Sequence, residues 1–327
     1  MQHTKNSKTP PPILCLTGPT AAGKTGIALE LARHHNYEII SVDSALVYKG
    51  LDIGSGKPDK QTLAEIPHHL VDIRDPAKPY SAAEFREDAI KAAEQILQAG
   101  RKPLLVGGTM LYYKVLRDGL ARMPAANPEV RSQILDLANA QGWDAVHKRL
   151  QQVDPESAAR IHPNDPQRLM RALEVYESSG KALTEHHRDE NAQKNQLPDF
   201  MSNLVFIAVH PEQRSTLHAQ IAERFQQMLK AGFIDEVKVL FERADLSYDL
   251  PAIRSVGYRQ VWEYLDGQYD YQTMIDKSVA ATRQLAKRQL TWLRSWRDLT
   301  RIEVEKEDES ENIVKKCLKV HHQTSIK

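Results

Sequence analysis

A glycine-rich octapeptide near the start of the chain combines residue types and spacing that suit phosphate binding. It fits the pattern G-x-x-x-x-G-K-[ST] at every fixed position and consists of Gly18, Pro19, Thr20, Ala21, Ala22, Gly23, Lys24 and Thr25. Backbone N–H groups of such a loop surround phosphate oxygens, and the positive end of the following helix points at the same anion. We expect Lys24 to reach the outer phosphate and the Thr25 hydroxyl to ligate Mg²⁺. The loop predicts a di- or triphosphate ligand but leaves its identity open.

The segments around this loop predict a strand before it and a helix after it. Residues 13–17 form a short apolar run, residues 27–32 have helical character, and residues 37–42 indicate a second strand that ends at Asp43. Because ligands of open α/β sheets lie at the carboxyl ends of strands, we expect Asp43 near the phosphate loop. A metal-holding carboxylate and a general base are both compatible with this position.

A further buried strand, residues 103–106, ends in Gly107, Gly108 and Thr109. Glycines at a strand end suggest that the backbone closely approaches a ligand, and Thr109 offers a hydroxyl group there. An ordinary tight turn is the alternative.

Residues 124–199 show no strand pattern and are predicted to form a helical insertion domain. Each of three helices is predicted to begin with a capping side chain followed by proline, at Asn127-Pro128, Asp154-Pro155 and Asp165-Pro166. Arg168 and Arg171 are three residues apart and therefore share one face of the third helix.

The chain returns to the sheet with a strand at residues 204–209, and a long helix after Pro211 carries Arg224 beside its apolar stripe. A later helix, from about Asp270 to Trp296, is strongly basic. Between residues 282 and 301 the single acid Asp298 stands against Arg283, Lys287, Arg288, Arg294, Arg297 and Arg301. A solvated face would mix both signs of charge, so this face, with Trp292 and Trp296 close by, favours binding to a phosphate backbone.

Length and composition predict a soluble protein with two domains. The chain has 327 residues, is 41% hydrophobic and carries a net charge of +1, so composition alone does not indicate nucleic acid. Cys15 and Cys317 lie far apart and predict neither a disulfide framework nor a metal site. We find no apolar stretch of about 18 or more residues and no signal peptide, and we expect a cytoplasmic protein with no membrane partner.

These observations predict an α/β fold, namely a P-loop NTPase-like parallel sheet core with a helical insertion domain and a helical, basic C-terminal region. We assign residues 13–123 and 200–302 to the core and residues 124–199 to the insertion. Residues 1–12 are polar and Pro-rich and are expected to be a mobile leader. Residues 303–327 are expected to be an acidic, solvated tail, with a short helix possible near residues 313–320.

Several classes of P-loop protein can be compared with these motifs. A GTPase should carry an N-K-x-D motif, which is absent, and a motor or transporter ATPase should carry an apolar strand ending in Asp, whereas residues 104–106 end in Gly-Gly-Thr. A small-molecule kinase remains compatible, although it would not need the basic C-terminal helix.

Six sequence blocks make the comparison specific: GPTAAGKT, SVDSALVYKGLDIGSGKP, VGGTMLYY, HPNDPQRLMRALEVY, RSVGYRQVWEYL and ATRQLAKRQLTWLR. Through these blocks the chain strongly resembles the bacterial tRNA dimethylallyltransferases, also called tRNA isopentenyltransferases, from about residue 13 to residue 296. One departure is Ala22, where the family often has serine. Because the loop contributes mainly backbone N–H groups, this departure has little consequence.

The resemblance implies that the loop binds the diphosphate of dimethylallyl diphosphate rather than ATP, with Mg²⁺ as the cofactor. The implied acceptor is N6 of the adenosine immediately 3′ of the anticodon, in tRNAs that read codons beginning with U. The products would be N6-dimethylallyladenosine in tRNA and pyrophosphate. The implied partner is the anticodon stem-loop of tRNA, and we expect the protein to act as a monomer.

The resemblance also favours the general-base role for Asp43, with Thr109 positioning the base and Arg224 stabilising the leaving pyrophosphate. Metal ligation is assigned to Thr25. The residues implied to contact tRNA are Asp43, Ser44, Ala45, Leu46, Thr109, Gln167, Arg168, Leu169, Met170, Arg171, Arg254, Ser255, Val256, Gly257, Tyr258, Arg259, Lys287, Arg288, Gln289, Leu290, Thr291, Trp292, Leu293 and Arg294.

Three alternatives remain beside this prediction. An adenylate isopentenyltransferase, which alkylates free AMP or ATP, would share the chemistry but would need neither the insertion nor the basic helix. The other two are a small-molecule kinase and a non-catalytic RNA-binding ATPase.

Overall fold

The computed structural model describes residues 11–119, 123–192, 197–304 and 310–325. Residues 1–10 of the expected leader and residues 305–309 of the expected acidic tail lie outside the described residues. The chain divides into a core unit, Met1–Arg117 with Leu197–Lys327, and a helical unit, Asp118–Gln196.

The core unit is built on a parallel sheet. Its strands are β1 Ile13–Thr17, β2 Tyr37–Ser41, β3 His68–His69, β4 Lys102–Gly107, β5 Leu204–Pro211 and β6 Leu299–Val304. Their order across the sheet is β3-β2-β4-β1-β5-β6, and every pairing is parallel. β1 is buried along its whole length, as expected for the apolar inner strand of a parallel sheet. The predicted α/β fold with a parallel sheet core is confirmed.

Helices of the core unit connect and cover these strands. They are α1 Lys24–His35, α2 Lys60–Glu65, α3 Ala82–Gln98, α4 Met110–Asp118, α10 Arg214–Lys230, α11 Phe233–Phe241, α12 Tyr258–Leu265, α13 Tyr271–Ser295 and α14 Ser310–Ser325, and α4 ends one residue inside the helical unit. The capping box predicted at Ser81 and Glu84 is present, because the side chain of each accepts a hydrogen bond from the backbone N–H of the other.

The C-terminal residues differ from the expected solvated tail. Residues 303 and 304 belong to β6 at the edge of the sheet, and α14 packs on α1. Ile313, Val314 and Cys317 of α14 are buried in the same cluster as Ile27 and Leu31 of α1. Burial of each isoleucine or valine side chain of this kind contributes about 1.5–3 kcal/mol, so α14 is held on the core rather than solvated.

The helical unit consists of α5 Pro128–Gln141, α6 Trp143–Val153, α7 Pro155–Arg160, α8 Pro166–Ser179 and α9 Leu183–Ala192. The predicted caps are confirmed: the side chains of Asn127, Asp154 and Asp165 accept backbone N–H groups at the starts of α5, α7 and α8. The unit has its own apolar core, which includes Ile134 and Leu150.

In the part of the chain that the structure describes, no helix combines the length and the apolar character needed to cross a bilayer.

Candidate active site

Three adjacent strands deliver the predicted chemical groups to one edge of the sheet. The phosphate loop follows β1, Asp43 follows β2 and Thr109 follows β4, and the strand order β2-β4-β1 makes these ends neighbours. All three line one open cavity of about 930 Å³ in the core unit, together with Arg224 of α10.

The phosphate loop turns through backbone conformations that only some residues adopt easily. Gly23 has a φ of 79° immediately before α1, and Gly18 lies so close to β5 that a Cβ there would be 2.2 Å from the carbonyl oxygen of Val209. α1 begins at Lys24, so the N-terminal end of the helix faces the cavity. The loop therefore brings the start of α1 to the cavity, where the helix dipole favours an anion.

Lys24 is half-buried at the base of this loop. Its Nζ donates to the carbonyl oxygens of Gly18, at 3.0 Å, and Pro19, at 2.7 Å. Burial lowers the pKa of Lys24 to about 8, a net shift that the Asp43 carboxylate opposes and the Arg224 cation assists. The ammonium is thus positively charged at neutral pH and lies at the cavity, where it can contact a phosphate.

Asp43 is half-buried and has one oxygen engaged. Its Oδ1 accepts the backbone N–H groups of Ala45, at 2.8 Å, and Leu46, at 3.3 Å, which fixes the turn after β2. In the described ranges no hydrogen bond reaches the other oxygen, Oδ2. That oxygen can accept a proton from a group in the cavity without breaking the turn.

Thr109 is held against the turn that carries Asp43. Its Oγ1 accepts the backbone N–H of Ser44 at 3.1 Å and lies 3.4 Å from the Ser44 hydroxyl oxygen. The glycines before it line the cavity and also allow close approach between segments of the protein. A Cβ on Gly107 would lie 2.0 Å from the carbonyl oxygen of Val42, and one on Gly108 would lie 2.5 Å from Nε2 of Gln289. Both glycines accommodate close packing within the protein.

Arg224 projects from α10 and is half-buried. Its guanidinium packs against Gly56, in the loop between β2 and α2. Burial lowers the pKa of Arg224, and the Asp43 carboxylate opposes this shift. Among the described residues no carboxylate lies within ion-pair distance of Arg224, so its positive charge is available to an anion in the cavity.

The loop that contacts Arg224 is fixed by a residue that sequence reasoning missed. Glu236 of α11 accepts the backbone N–H groups of Asp52, Ile53 and Gly54, and it also accepts the Tyr258 hydroxyl at 2.6 Å. The two glycines in residues 54–58 (GSGKP) indicated a loop with a special backbone conformation. Nothing in the sequence indicated its partner, which lies more than 180 residues away.

α13 presents two different faces. Its exposed residues include Arg283, Lys287, Arg288, Thr291, Trp292 and Arg294. Within the described part of the chain, the four basic members of this set make no ion pair. Ala286, Gln289 and Leu293 are buried at helical spacing, and Leu290 packs in a neighbouring apolar cluster. A basic, partly aromatic surface therefore lies along one side of this helix.

Two residues near the end of α13 differ from the basic and aromatic surface predicted there. Trp296 is only 4% exposed and lies beneath the Arg117 guanidinium, whereas Trp292 is 39% exposed at the cavity. Arg301 donates from Nη2 to the carbonyl oxygen of Leu293 at 2.7 Å. It therefore caps the helix end, where a cation is favoured by the helix dipole.

The Arg254–Arg259 segment is only partly exposed. Tyr258 is fully buried, and its hydroxyl also accepts the backbone N–H of Ser55 at 3.1 Å. Arg259 forms an ion pair with Glu263 at 3.0 Å. Arg254 is exposed and, like Ser255, Val256 and Gly257, lines the cavity. The buried Tyr258 side chain thus anchors this segment in the core unit.

The Gln167–Arg171 segment of α8 lies in the helical unit and is described within that unit alone. Gln167 and Arg168 are exposed, whereas Leu169 is buried in the helical core and Met170 packs against that core. Arg171 donates to the buried Glu174 at 2.8 Å and to the carbonyl oxygen of Pro124 at 2.8 Å. Gln167 and Arg168 are therefore the members of this segment with the most accessible side chains.

Comparisons with a family model and with solved structures all match the chain to isopentenyl or dimethylallyl transferases. The sequence model of a family described as IPP transferase matches residues 46–296. Two crystal structures of bacterial tRNA isopentenylpyrophosphate transferases are similar over 96% of this chain. The one from Bacillus halodurans is 33% identical, with 98% of that chain covered, and the one from Staphylococcus epidermidis is 29% identical, with 99% covered; both have a TM-score of 0.67. A eukaryotic dimethylallyltransferase acting on tRNA is 25% identical over 93% of this chain and 78% of that chain, with a TM-score of 0.74.

Proposed function

This chain belongs to the IPP transferase family and is a prenyltransferase, and we propose that it transfers a dimethylallyl group from dimethylallyl diphosphate to tRNA. The acceptor is N6 of the adenosine immediately 3′ of the anticodon, in tRNAs that read codons beginning with U. The observation that carries this proposal is the grouping of Lys24, Asp43 and Arg224 around one cavity beside the exposed basic face of α13.

The chemistry of the transfer matches these groups. The bond between N6 and the allylic carbon forms while the bond from that carbon to the diphosphate oxygen breaks, and the electron pair leaves with pyrophosphate. Lys24, the loop amides and Arg224 offset the negative charge that develops on the leaving group. The N6 proton passes to Oδ2 of Asp43, and such a base is typically worth about 10²–10⁴-fold in rate. Thr109 holds the turn that carries Asp43.

A magnesium ion fits the oxygen chemistry of the phosphate loop. Thr25, in the first turn of α1, lines the cavity and provides a hydroxyl oxygen, and Mg²⁺ is commonly held by a few protein oxygens together with substrate phosphates. Within the described ranges, no group of three or more His, Cys, Asp or Glu residues could hold a metal alone. Thr25 would therefore hold the ion jointly with the diphosphate, and the ion would supply positive charge to the leaving group.

Recognition of tRNA combines electrostatic docking with access to one base. The exposed cations of α13 provide a surface for the phosphate backbone, and Arg254 adds a cation at the cavity. An adenine that is stacked in an anticodon loop cannot reach a cavity of this kind without leaving its stack. Gln167 and Arg168 of the helical unit are proposed as additional tRNA contacts.

One assay separates this function from its alternatives. The protein is incubated with labelled dimethylallyl diphosphate and Mg²⁺ and with unmodified tRNA, AMP or ATP, and the transfer of label is followed. We expect label on tRNA and none on AMP or ATP. Label on AMP or ATP alone would indicate an adenylate isopentenyltransferase. Phosphate transfer from ATP without prenyl transfer would indicate a kinase.

A further inference from the structure

Gln289 is a buried polar side chain on a helix whose neighbouring residues are exposed. It is 7% exposed, whereas Lys287, Arg288 and Thr291 face solvent. Its carboxamide makes two hydrogen bonds across the core unit: Oε1 accepts the backbone N–H of Thr20 at 2.9 Å, and Nε2 donates to the carbonyl oxygen of Gly108 at 2.8 Å. Because a flipped amide would place oxygen against oxygen, these partners fix its orientation.

The two partners of Gln289 belong to the two loops that carry the chemistry. Thr20 lies in the phosphate loop, four residues before Lys24. Gly108 precedes Thr109, which holds the backbone N–H of Ser44 beside Asp43. The carboxamide of Gln289 therefore links the phosphate loop to the end of β4, where Thr109 holds the turn that carries Asp43.

The fit around this carboxamide is tight. A Cβ on Gly108 would lie 2.5 Å from Nε2 of Gln289, so the glycine is required for the helix to approach this closely. An apolar side chain of similar size at position 289 would leave a donor on one loop and an acceptor on the other without this partner, at a buried position.

We propose that Gln289 is a positioning residue that links the tRNA-docking helix to both catalytic loops, rather than a residue that contacts tRNA. This inference rests on the proposed function. Since the side chain is neutral and buried, its loss leaves the docking charges on α13 in place. It loosens the two loops on which alignment of the diphosphate and of Asp43 depends, so the transfer step slows while tRNA binding is retained.

The test uses the full-length protein with Gln289→Leu and Gln289→Glu. Leucine makes neither bond, and glutamate can accept from the Thr20 N–H but, when ionised, cannot donate to the Gly108 carbonyl. Ser278→Ala is the matched control, because Ser278 is buried on the same helix and its hydroxyl bonds only Met274 Sδ among the described residues. The measured quantities are the single-turnover rate constant of label transfer to tRNA and the Kd for tRNA at two salt concentrations.

The rate constant of a single turnover does not depend on the fraction of active protein, so partial misfolding does not imitate the effect. We expect it to fall about tenfold or more in both Gln289 variants, with tRNA Kd and its salt dependence within about twofold of the unmodified protein, as loss of two hydrogen bonds implies. Ser278→Ala should match the unmodified protein. Rate constants within twofold in both variants would overturn the inference, as would a parallel loss of tRNA binding. If the unmodified protein transfers no label to tRNA, the proposed function fails instead.

Discussion

The guanidinium of Arg224 packs so closely against Gly56 that a Cβ atom on the glycine would lie 1.8 Å from Nη2. Gly56 also has a φ of 69°, a conformation that favours glycine. The loop containing it is bonded through three consecutive backbone N–H groups to Glu236. The position of the cation is therefore set by the loop that Glu236 holds, and no described carboxylate pairs with it.

We expect Gly56→Ala to displace Arg224 and to raise KM for dimethylallyl diphosphate about tenfold, because one charged contact to the diphosphate is misaligned. Steady-state kinetics at saturating tRNA measures this change. Gly50→Ala is the matched control: its φ is 75°, and nothing lies within 4 Å of its Cβ position. Both substitutions carry the same backbone strain, but only the first meets Arg224. An equal rise of KM in both would show that strain alone is responsible.

The pKa of Lys24 predicts a pH dependence of diphosphate use. Burial lowers this pKa from 10.5 to about 8, so the free enzyme loses the Lys24 proton as the pH rises through 8. The positive charge is present below that value and absent above it. We expect kcat/KM for dimethylallyl diphosphate to be insensitive to this group below about pH 7 and to fall about tenfold per pH unit above about pH 9. Measurement across this range at saturating tRNA checks the prediction, and a flat profile contradicts it.

The substitution Asp43→Asn tests the general-base role of Asp43 separately from its role in fixing the turn after β2. The asparagine side-chain oxygen can still accept the N–H groups of Ala45 and Leu46, whereas the amide cannot take the N6 proton. We expect the single-turnover rate to fall about 10²–10⁴-fold with tRNA binding retained. Asp59→Asn is the control, because Asp59 also accepts a backbone N–H, from Thr62, at an exposed helix start. Turnover near the unmodified rate would remove Asp43 as the base.

The basic face of α13 predicts a salt-dependent affinity for tRNA. Combining Lys287→Ala with Arg294→Ala should weaken tRNA binding at low salt and reduce the slope of log K against log salt by about 1–2, since each phosphate contact contributes roughly one unit. The control combines Arg33→Ala with Arg101→Ala, which removes the same charge from cations paired with Glu65 and Glu38. Filter binding from low to moderate salt measures both. Equal slopes in the two double variants would exclude α13 as the docking face.

Much of the fold follows from local signals in the sequence. The caps at Asn127, Asp154 and Asp165 predict helix starts correctly because side-chain bonds to nearby N–H groups depend on few residues. β6 was not predicted. Its short sequence alternates irregularly between exposed and buried positions, and its conformation depends on pairing with β5, about 90 residues earlier in the chain.

The same distinction, between features set by local sequence and features set by distant segments, applies to the active site. The proximity of the phosphate loop and Asp43 follows from the rule that strand ends meet at one edge of a parallel sheet. The inward direction of Gln289 was accessible from its spacing with Ala286 and Leu293, but its partners were not, because they depend on how α13 packs against loops from distant segments. Glu236 is a similar case, since only the folded chain brings it to the 52–54 loop.

The packing of α14 on α1 determines when the core can be completed during synthesis of the chain. Synthesis produces the phosphate loop and α1 by residue 35, whereas Ile313, Val314 and Cys317, which cover α1, are made more than 270 residues later. Until those residues leave the ribosome, one side of α1 remains uncovered. The nascent chain therefore carries its catalytic loop on an incomplete core while the residues between α1 and α14 are made, and this part of the core closes only once α14 is available.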